Sequence, residues 1–227
     1  MKQLALGVRL RADAIFESFA AGLNRELIAA LREGSSGPLW LWGSEGSGKT
    51  HLLQAVCAAA DAAAYFPLER SLALPPAALA GFENCRVLCL DDADAIAGDP
   101  QWEQALFRLF NEAAELGTRL IFAARAAPRG INWSLEDWRS RAAASVVYQL
   151  RDLDDAGRLE ALRLRAAQRG LQLPPETADY LLRRVPRDLP SLFELLDQLD
   201  EASLVAQRRL TVPFIRDALE RLAGTKP

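Results

Sequence analysis

The sequence has very little histidine and cysteine. Among its 227 residues there are one histidine, His51, and three cysteines, Cys57, Cys85 and Cys89. A single histidine nearly excludes a histidine-based metal site and a Ser-His-Asp triad. The cysteines lie inside apolar segments without the paired spacing of a zinc site, which predicts small buried thiols in a reducing compartment.

Long hydrophobic runs and an excess of basic residues are also missing. No apolar run approaches the roughly 20 residues that cross a bilayer, and the first residues lack the apolar stretch of a signal peptide. With 27 lysines and arginines against 30 aspartates and glutamates, the net charge is −3. An autonomous nucleic-acid-binding protein normally carries a basic excess. We therefore expect a soluble cytoplasmic protein without membrane association. Direct binding of nucleic acid is not expected, although this charge balance is compatible with a local basic patch.

What the sequence does contain is a glycine-rich motif, Gly43-Ser44-Glu45-Gly46-Ser47-Gly48-Lys49-Thr50, which fits G-x-x-x-x-G-K-[ST] at every fixed position. The apolar run 38–42 before it predicts a buried strand, and residues 51–60 after it predict a helix. Strand, glycine loop and helix are the context in which this motif forms a P-loop.

The residue types of this loop suit a nucleotide and a magnesium ion. Glycines let the backbone turn tightly, so that N–H groups point at phosphate oxygens, and the start of the helix adds its positive dipole end. We expect Lys49 to reach the β- and γ-phosphates and Thr50 to be a ligand of Mg²⁺. The eight residues of the loop and the adjoining His51 are the predicted nucleotide site.

A second motif follows in Arg86-Val87-Leu88-Cys89-Leu90-Asp91-Asp92. Four apolar residues that end in two acids have the Walker B pattern, and predict a buried parallel strand with its carboxylates at the sheet edge where ligands bind. We expect Asp91 to hold Mg²⁺ through water and Asp92 to orient an attacking water.

The alternation of strand and helix patterns ends near residue 150 and predicts the architecture. Strands are predicted at 38–42, 63–68, 86–92, 119–124 and 145–150. Because helical patterns separate them, they indicate a five-stranded parallel sheet covered on both faces, hence an α/β core. Helices without intervening strands are predicted at 154–169, 175–185, 189–206 and 212–222. The predicted divisions are a terminal peptide at 1–12, the core at 13–152 and a small all-helical domain at 153–227.

The terminal peptide contains a short apolar segment, Gln3-Leu4-Ala5-Leu6, which lacks helical spacing. A frayed terminus and a linear docking motif that fills a groove on a partner are both compatible with these residues. Under the second interpretation, the partner-binding residues are Gln3, Leu4 and Leu6.

Segments spread through most of the chain resemble the AAA+ ATPases, and within them the DnaA-related Hda family. In the core, the resemblance covers the lead-in Phe16–Phe19, the P-loop segment Gly48–Leu53, the Walker B segment Leu90–Asp92 and the box VII arginine in Ser140-Arg141. In the small all-helical domain, which is the lid of this family, it covers Leu171–Pro174 and Leu210–Ile215. Asp197–Asp200 and Ala206–Thr211 are most similar to Hda, and Gln3–Leu6 is similar to its sliding-clamp-binding peptide. A helix-turn-helix domain after the lid is not expected.

The resemblance implies a specific activity. Hda proteins bind an adenine nucleotide, typically ADP, and the sliding clamp of DNA polymerase III, and they promote hydrolysis of DnaA-bound ATP after initiation. DNA is then reached only through the clamp. By position, Arg141 is the residue implied to act in trans as an arginine finger, and Arg139 is a nearby competitor for that role.

Two departures from the family pattern concern residues that would sense the γ-phosphate. At the end of the strand 119–124, the stretch Phe122-Ala123-Ala124-Arg125 has no hydroxyl or amide. In the lid, the sensor arginine would fall at Pro190, which has no N–H to donate. Arg187, three residues earlier, is the substitute that we assign to the nucleotide site. These losses favour a regulator that hydrolyses ATP poorly.

Two alternatives stay open at this stage. The intact P-loop and the Asp91-Asp92 pair are also compatible with a self-sufficient AAA+ ATPase of the loader or remodelling type. A DNA-binding initiator is opposed by the acidic balance. The sequence leaves open whether ADP or ATP is bound, and whether copies of the chain associate.

Overall fold

The computed structural model describes residues 10–34, 37–184, 188–206 and 210–224. The described chain divides into two compact units. The first contains residues 10–16 and 23–152, and the second contains residues 17–22 and 153–224. The segment Glu17–Gly22 thus groups with the helical unit, whereas the sequence analysis included it in the core.

The first unit is built on a five-stranded sheet in which every strand pair is parallel. Its strands are β1 Leu39–Trp42, β2 Ala63–Pro67, β3 Val87–Asp91, β4 Arg119–Ala124 and β5 Val146–Gln149. Their order across the sheet is β2-β3-β4-β1-β5. The predicted five-stranded parallel sheet is therefore confirmed, and its strand order places β4 between the strand before the P-loop and the strand before Asp91-Asp92.

The composition of the strands follows their place in the sheet. Every residue of β3 is buried, as expected for a strand covered on both faces. β5 lies at an edge, and its Val146 and Val147 side chains are 41% and 42% exposed. The central strands are thus the continuous apolar runs that the sequence analysis used to find them.

Five α-helices belong to this unit, namely α1 Arg25–Glu33, α2 Lys49–Ala59, α3 Leu68–Ser71, α4 Pro100–Leu116 and α5 Glu136–Ala143. Short 3-10 turns lie at Phe16–Ser18, Pro76–Leu79, Phe82–Asn84, Ala93–Ile96 and Pro128–Gly130. The start of α4 shows why the local sequence is helical: the Asp99 carboxylate accepts hydrogen bonds from the N–H groups of Gln101 and Trp102 at 2.9 and 3.2 Å. Gly117, with φ of 75°, ends the helix.

Large aromatic residues fill the core between the sheet and the helices α4 and α5. Trp40 stacks on Phe122 with ring centres 5.4 Å apart, and Trp133 and Trp138 meet edge-to-face at 5.8 Å. Phe110 of α4 lies 6.1 Å from Trp138. Because Trp138 is fully buried in this cluster, it anchors α5 against α4 and the sheet.

The second unit contains four helices, α6 Asp155–Gln168, α7 Pro175–Arg184, α8 Leu189–Ala206 and α9 Val212–Gly224. They bury an aliphatic core that includes Leu162, Leu181, Leu196, Leu199 and Ile215. This confirms the predicted all-helical domain. Pro190 lies in the first turn of α8, where a missing N–H is tolerated. Within the described part of the chain, none of the helices has the length and apolarity needed to span a bilayer.

Candidate functional site

The glycine loop begins directly at the end of β1. The N–H of Gly43 donates to the carbonyl of Ala124 at 3.3 Å, which continues the β1–β4 pairing by one residue. A Cβ at this position would lie 2.6 Å from the carbonyl oxygen of Leu150 and 3.2 Å from the Ser47 hydroxyl. Glycine is therefore required here because two backbone segments approach closely.

The loop ends where α2 begins. Gly48 has φ of 102°, a left-handed conformation that favours glycine, and α2 starts at the next residue, Lys49. The first N–H groups of a helix have no partner inside the helix, and they point toward any anion held at its start. The loop and α2 thus have the glycine turn and the helix start on which the predicted nucleotide site depends, and phosphate binding there stays a prediction.

Lys49 is buried inside the loop, with 7% of its surface exposed. Its Nζ donates to the carbonyls of Gly43 at 2.8 Å and Ser44 at 2.7 Å. Burial lowers the pKa of Lys49, although the charges of Asp91 and Asp92 act in the opposite direction. The ammonium is thus held inside the loop by two neutral backbone carbonyls.

The rest of the loop is braced by its own side chains. The Ser47 hydroxyl donates to the Ser44 carbonyl at 2.7 Å, and the Ser44 hydroxyl donates to the Asp152 carboxylate. Glu45 and Gly46 are exposed at the tip. His51, in the first turn of α2, has its Nε2 3.0 Å from the carbonyl of Ile15, so it ties the lead-in segment to the P-loop helix.

Thr50 and Asp91 are brought together at the carboxyl end of β3. The Thr50 hydroxyl donates to Asp91 Oδ2 at 2.6 Å, and the Tyr65 hydroxyl donates to the same oxygen at 2.7 Å. Burial, reinforced by the Asp91 charge, raises the pKa of Tyr65. The sequence analysis did not find Tyr65, whose position in β2 beside β3 is apparent only from the sheet pairing.

Asp92 follows Asp91 in a different environment. Its backbone is left-handed, with φ of 53°, and its side chain is half-buried. Burial first, and then the charges of Asp91, Glu69 and Asp94, raise the pKa of Asp92 to about 6. Lys49 opposes this shift without cancelling it. A carboxylate whose pKa is this high is a better proton acceptor than an ordinary aspartate.

The residues around Thr50 fit a magnesium ion that is shared with phosphates. Mg²⁺ in such sites takes one or two protein oxygens and completes its shell with water and phosphate. Thr50 Oγ1 and Asp91 Oδ2 already lie 2.6 Å apart. In the described ranges, no cluster of three or more His, Cys, Asp or Glu side chains is arranged for a metal ion. A magnesium ion at Thr50 would not need one, because phosphate supplies the remaining anionic oxygens.

Arg125 is a residue whose place the sequence analysis did not interpret. It is the first residue after β4, one step beyond the pairs that β4 forms with β1. Its Nε donates to Asp94 Oδ2 at 2.8 Å and its N–H to Asp94 Oδ1 at 3.1 Å, while 57% of its side chain is exposed. After burial, its charge is a lesser cause of the lowered pKa of Lys49. A cation that is paired with Asp94 thus follows the last residue of β4.

The structure distinguishes the two arginines of α5. Arg139 forms an ion pair with Glu136, one turn earlier, at 2.5 Å. Arg141 is exposed, and its guanidinium carbon lies 5.9 Å from the centre of the Phe110 ring. Among the described residues, no carboxylate forms an ion pair with Arg141. Four other predicted site residues, Gln3, Leu4, Leu6 and Arg187, lie outside the described residues.

Comparison with known proteins agrees with this geometry. Residues 140–219 match the family described as Hda, lid domain. Domain III of the replication initiation protein DnaA from Thermotoga maritima has a similar structure, with a TM-score of 0.81 and 22% sequence identity over 94% of this chain and 98% of that one. The chain has the AAA+ fold seen in DnaA domain III, and its residues 140–219 are similar to the Hda lid domain.

Two further solved structures share this fold. AMPPCP-bound DnaA from Aquifex aeolicus matches with a TM-score of 0.68 and 22% identity, over 85% of this chain and 67% of that one. The Holliday junction branch migration motor RuvB from Thermotoga maritima matches with a TM-score of 0.65 and 15% identity, over 87% and 69%. At these identities the structural matches establish the fold alone, and the similarity to the Hda lid concerns residues 140–219.

Proposed function

We propose that this protein is a regulatory AAA+ protein that binds adenine nucleotide with Mg²⁺ and promotes hydrolysis of ATP bound to a DnaA-type initiator. In this proposal Arg141 acts in trans on the ATP of the initiator. The terminal residues Gln3, Leu4 and Leu6 bind the sliding clamp, so that the protein works where replication has begun. The two roles require different parts of the chain and can be tested separately.

Nucleotide binding is supported by the P-loop geometry. The glycine loop leads directly into α2, whose first residue Lys49 is buried against the loop, and the oxygens of Thr50 and Asp91 meet beside that helix start. A DnaA of the same fold is bound to AMPPCP, an adenine nucleotide. Thr50 and Asp91 would hold the magnesium ion, which neutralises charge on the phosphates when it is bound. Lys49 would exchange its carbonyl partners for phosphate oxygens.

The observation that carries the trans role is the state of Arg141. Its guanidinium is exposed and rests against the Phe110 ring, and no carboxylate of the described residues neutralises it. A guanidinium is always charged and presents a planar fork of donors, which suits the spread of charge onto phosphoryl oxygens during hydrolysis. Fingers of this kind contribute about 10³- to 10⁵-fold in rate in related phosphoryl-transfer systems.

Weak hydrolysis by the protein itself is part of the proposal. The end of β4 offers Ala123 and Ala124, and the next residue, Arg125, is held by Asp94. No neutral hydroxyl or amide therefore follows β4 to orient an attacking water. The Asp92 carboxylate beside Asp91 favours the second candidate, a self-sufficient ATPase, because it could act as the base.

The experiment is a comparison of Arg141→Ala with Arg139→Ala. ATP hydrolysis by a purified DnaA-type initiator is measured with clamp loaded on DNA and each variant added in turn. With Arg141→Ala added, we expect the initiator to hydrolyse ATP only at its unstimulated rate. With Arg139→Ala, we expect most of the stimulation to remain. Full stimulation by Arg141→Ala would exclude the trans role. Turnover by the protein alone that is lost in Lys49→Ala would favour the self-sufficient ATPase.

A further inference from the structure

Glu103 of α4 is a buried carboxylate that the proposed function does not use. Its side chain is completely buried. Its Oε1 accepts hydrogen bonds from the N–H of Gly98 at 2.8 Å and of Ser134 at 3.0 Å, and its Oε2 accepts one from the N–H of Leu135 at 2.6 Å. Burial of a carboxylate is costly unless its oxygens are satisfied, so three charge-assisted bonds fix all four groups relative to one another.

The three donors come from two separate loops. Gly98 ends the loop that starts at Asp92 and runs through the 3-10 turn Ala93–Ile96, beside the phosphate site. Ser134 and Leu135 come directly before Glu136, the first residue of α5. Glu103 therefore joins the segment that follows the Walker B carboxylates to the start of the helix that carries Arg141.

The two residues that lead into α5 are held by this carboxylate. The N-cap residue of α5 is Leu135, which has no side-chain oxygen and makes no capping hydrogen bond. Helices usually satisfy their first N–H groups with a Ser, Thr, Asp or Asn of their own. Glu103 instead accepts from the N–H of Leu135 itself and of Ser134 before it, so a side chain of α4 holds the residue at which α5 begins.

The same face of α4 also supports the other end of α5. Phe110 lies seven residues after Glu103, which is two helical turns, and its ring lies under the guanidinium of Arg141. Between these two contacts, Trp138 is buried against Phe110 with ring centres 6.1 Å apart. Because α5 has only eight residues, a shift of its first turn is transmitted to Arg141.

We propose that Glu103 is a positioning residue for Arg141, and that it couples the loop after Asp91-Asp92 to the start of α5. Nucleotide bound at the P-loop then changes the stability of α5 through Gly98 and Glu103. The effect on ATP hydrolysis rests on the function proposed above for Arg141. The coupling between the loop and α5 does not.

The coupling is tested on the protein alone by amide hydrogen exchange, with and without ADP and Mg²⁺. In the wild type, we expect nucleotide to slow exchange at Gly98, Ser134 and Leu135 together. Glu103→Gln keeps the shape of the side chain but turns one acceptor into a donor, which leaves one of the three N–H groups unpaired. In that variant we expect faster exchange at Ser134 and Leu135 and no response of α5 to nucleotide.

The matched control is Glu115→Gln, at an exposed position of the same helix. It should exchange like the wild type. A wild type in which nucleotide leaves Ser134 and Leu135 unchanged would overturn the coupling, and this result does not require the variant to fold. A Glu103→Gln protein that keeps the wild-type exchange and response would overturn it as well.

The positioning role is tested by a double-mutant cycle on stimulated ATP hydrolysis. A displacement of about 1 Å at a catalytic group can cost about a hundredfold, so we expect Glu103→Gln to lower the stimulated rate tenfold to a hundredfold at saturating protein. Combined with Arg141→Ala, it should cause no further loss, because both act through one guanidinium. Independent, multiplying losses would show that Glu103 does not act through Arg141. If Arg141→Ala alone keeps full stimulation, the proposed function fails while the exchange experiment still decides the coupling.

Discussion

The guanidinium carbon of Arg141 lies 5.9 Å from the centre of the Phe110 ring. This contact orients a cation without neutralising it, because the ring offers a negative face and no full charge. A carboxylate in the same place would hold the side chain more tightly, but would compete with a phosphate for it. The neighbouring Arg139, which is paired with Glu136, illustrates that alternative.

The role of the ring can be tested with Phe110→Leu. Leucine keeps an apolar side chain in the core but removes the aromatic face, and an exposed cation–π contact stabilises by about 0.5–1 kcal/mol. We therefore expect stimulation of the initiator's ATP hydrolysis to fall about twofold to fivefold. Thermal unfolding is measured in parallel, and rates are compared at temperatures where both proteins are folded. An unchanged rate would mean that the ring does not orient Arg141.

The raised pKa of Asp92 predicts how stability depends on pH. Its pKa is about 6 in the folded protein and about 3.9 in an unfolded chain, so the folded state holds more protons between these values. The free energy of unfolding therefore falls as pH rises through this window. We expect Asp92→Asn to raise the free energy of unfolding by about 1 kcal/mol at pH 7.5 and to change it little at pH 4. The expected gain is modest because the side chain of Asp92 is only half-buried.

The measurement is denaturant unfolding of both proteins across that pH range, without nucleotide or magnesium. Asparagine also tolerates the left-handed backbone of Asp92 well, and such a gain would be equal at every pH. Only the difference between pH 4 and pH 7.5 reports the carboxylate. A gain that does not vary with pH would contradict the prediction.

The close approach at Gly43 predicts a strong effect of one methyl group. In Gly43→Ala the added Cβ would lie 2.6 Å from the Leu150 carbonyl oxygen, so the backbone must move. We expect a loss of about 1–3 kcal/mol in unfolding free energy, together with a large loss of nucleotide affinity, since Lys49 bonds to the Gly43 carbonyl. Titration calorimetry measures the nucleotide affinity, and denaturant unfolding measures the free energy of unfolding.

Gly130→Ala is the control for that variant, because its Cβ would meet only Ala126, at an ordinary 3.8 Å. It should bind nucleotide like the wild type. A Gly43→Ala protein with full affinity would show that the loop can relax around the methyl group.

Clamp binding is tested by replacing Gln3 and Leu4 together with alanine. If the terminal peptide fills a groove on the clamp, the double variant should show no measurable affinity for clamp immobilised on a sensor surface. Its nucleotide affinity should be unchanged. Lys2→Ala, in the same segment, serves as the control and should bind normally. Equal clamp affinity in the double variant would make the segment an ordinary terminus, and the clamp would then have to be reached in another way.

Local patterns in the sequence determined most of the architecture. The strand, glycine loop and helix at 39–59, the apolar strand that ends at Asp91, and the Asp99-Pro100 start of α4 each depend on residues that are near neighbours in the chain. Such elements follow from backbone sterics, capping and burial of apolar runs, which act over a few residues. The parallel sheet followed by a helical domain could therefore be predicted before any coordinates were known.

Only the tertiary structure decided which polar groups meet. Tyr65 and Asp91 are 26 residues apart, and Glu103 and Leu135 are 32 apart, yet both pairs are hydrogen-bonded. Their meeting depends on the strand order β2-β3-β4-β1-β5 and on the packing of α4 against α5, which no local pattern encodes. Arg141 likewise meets Phe110 only because α5 packs against α4, and its role as the finger stays a prediction. The sequence by itself therefore determined the loop that suits phosphate, and the packing of distant segments decided which charges near it are paired.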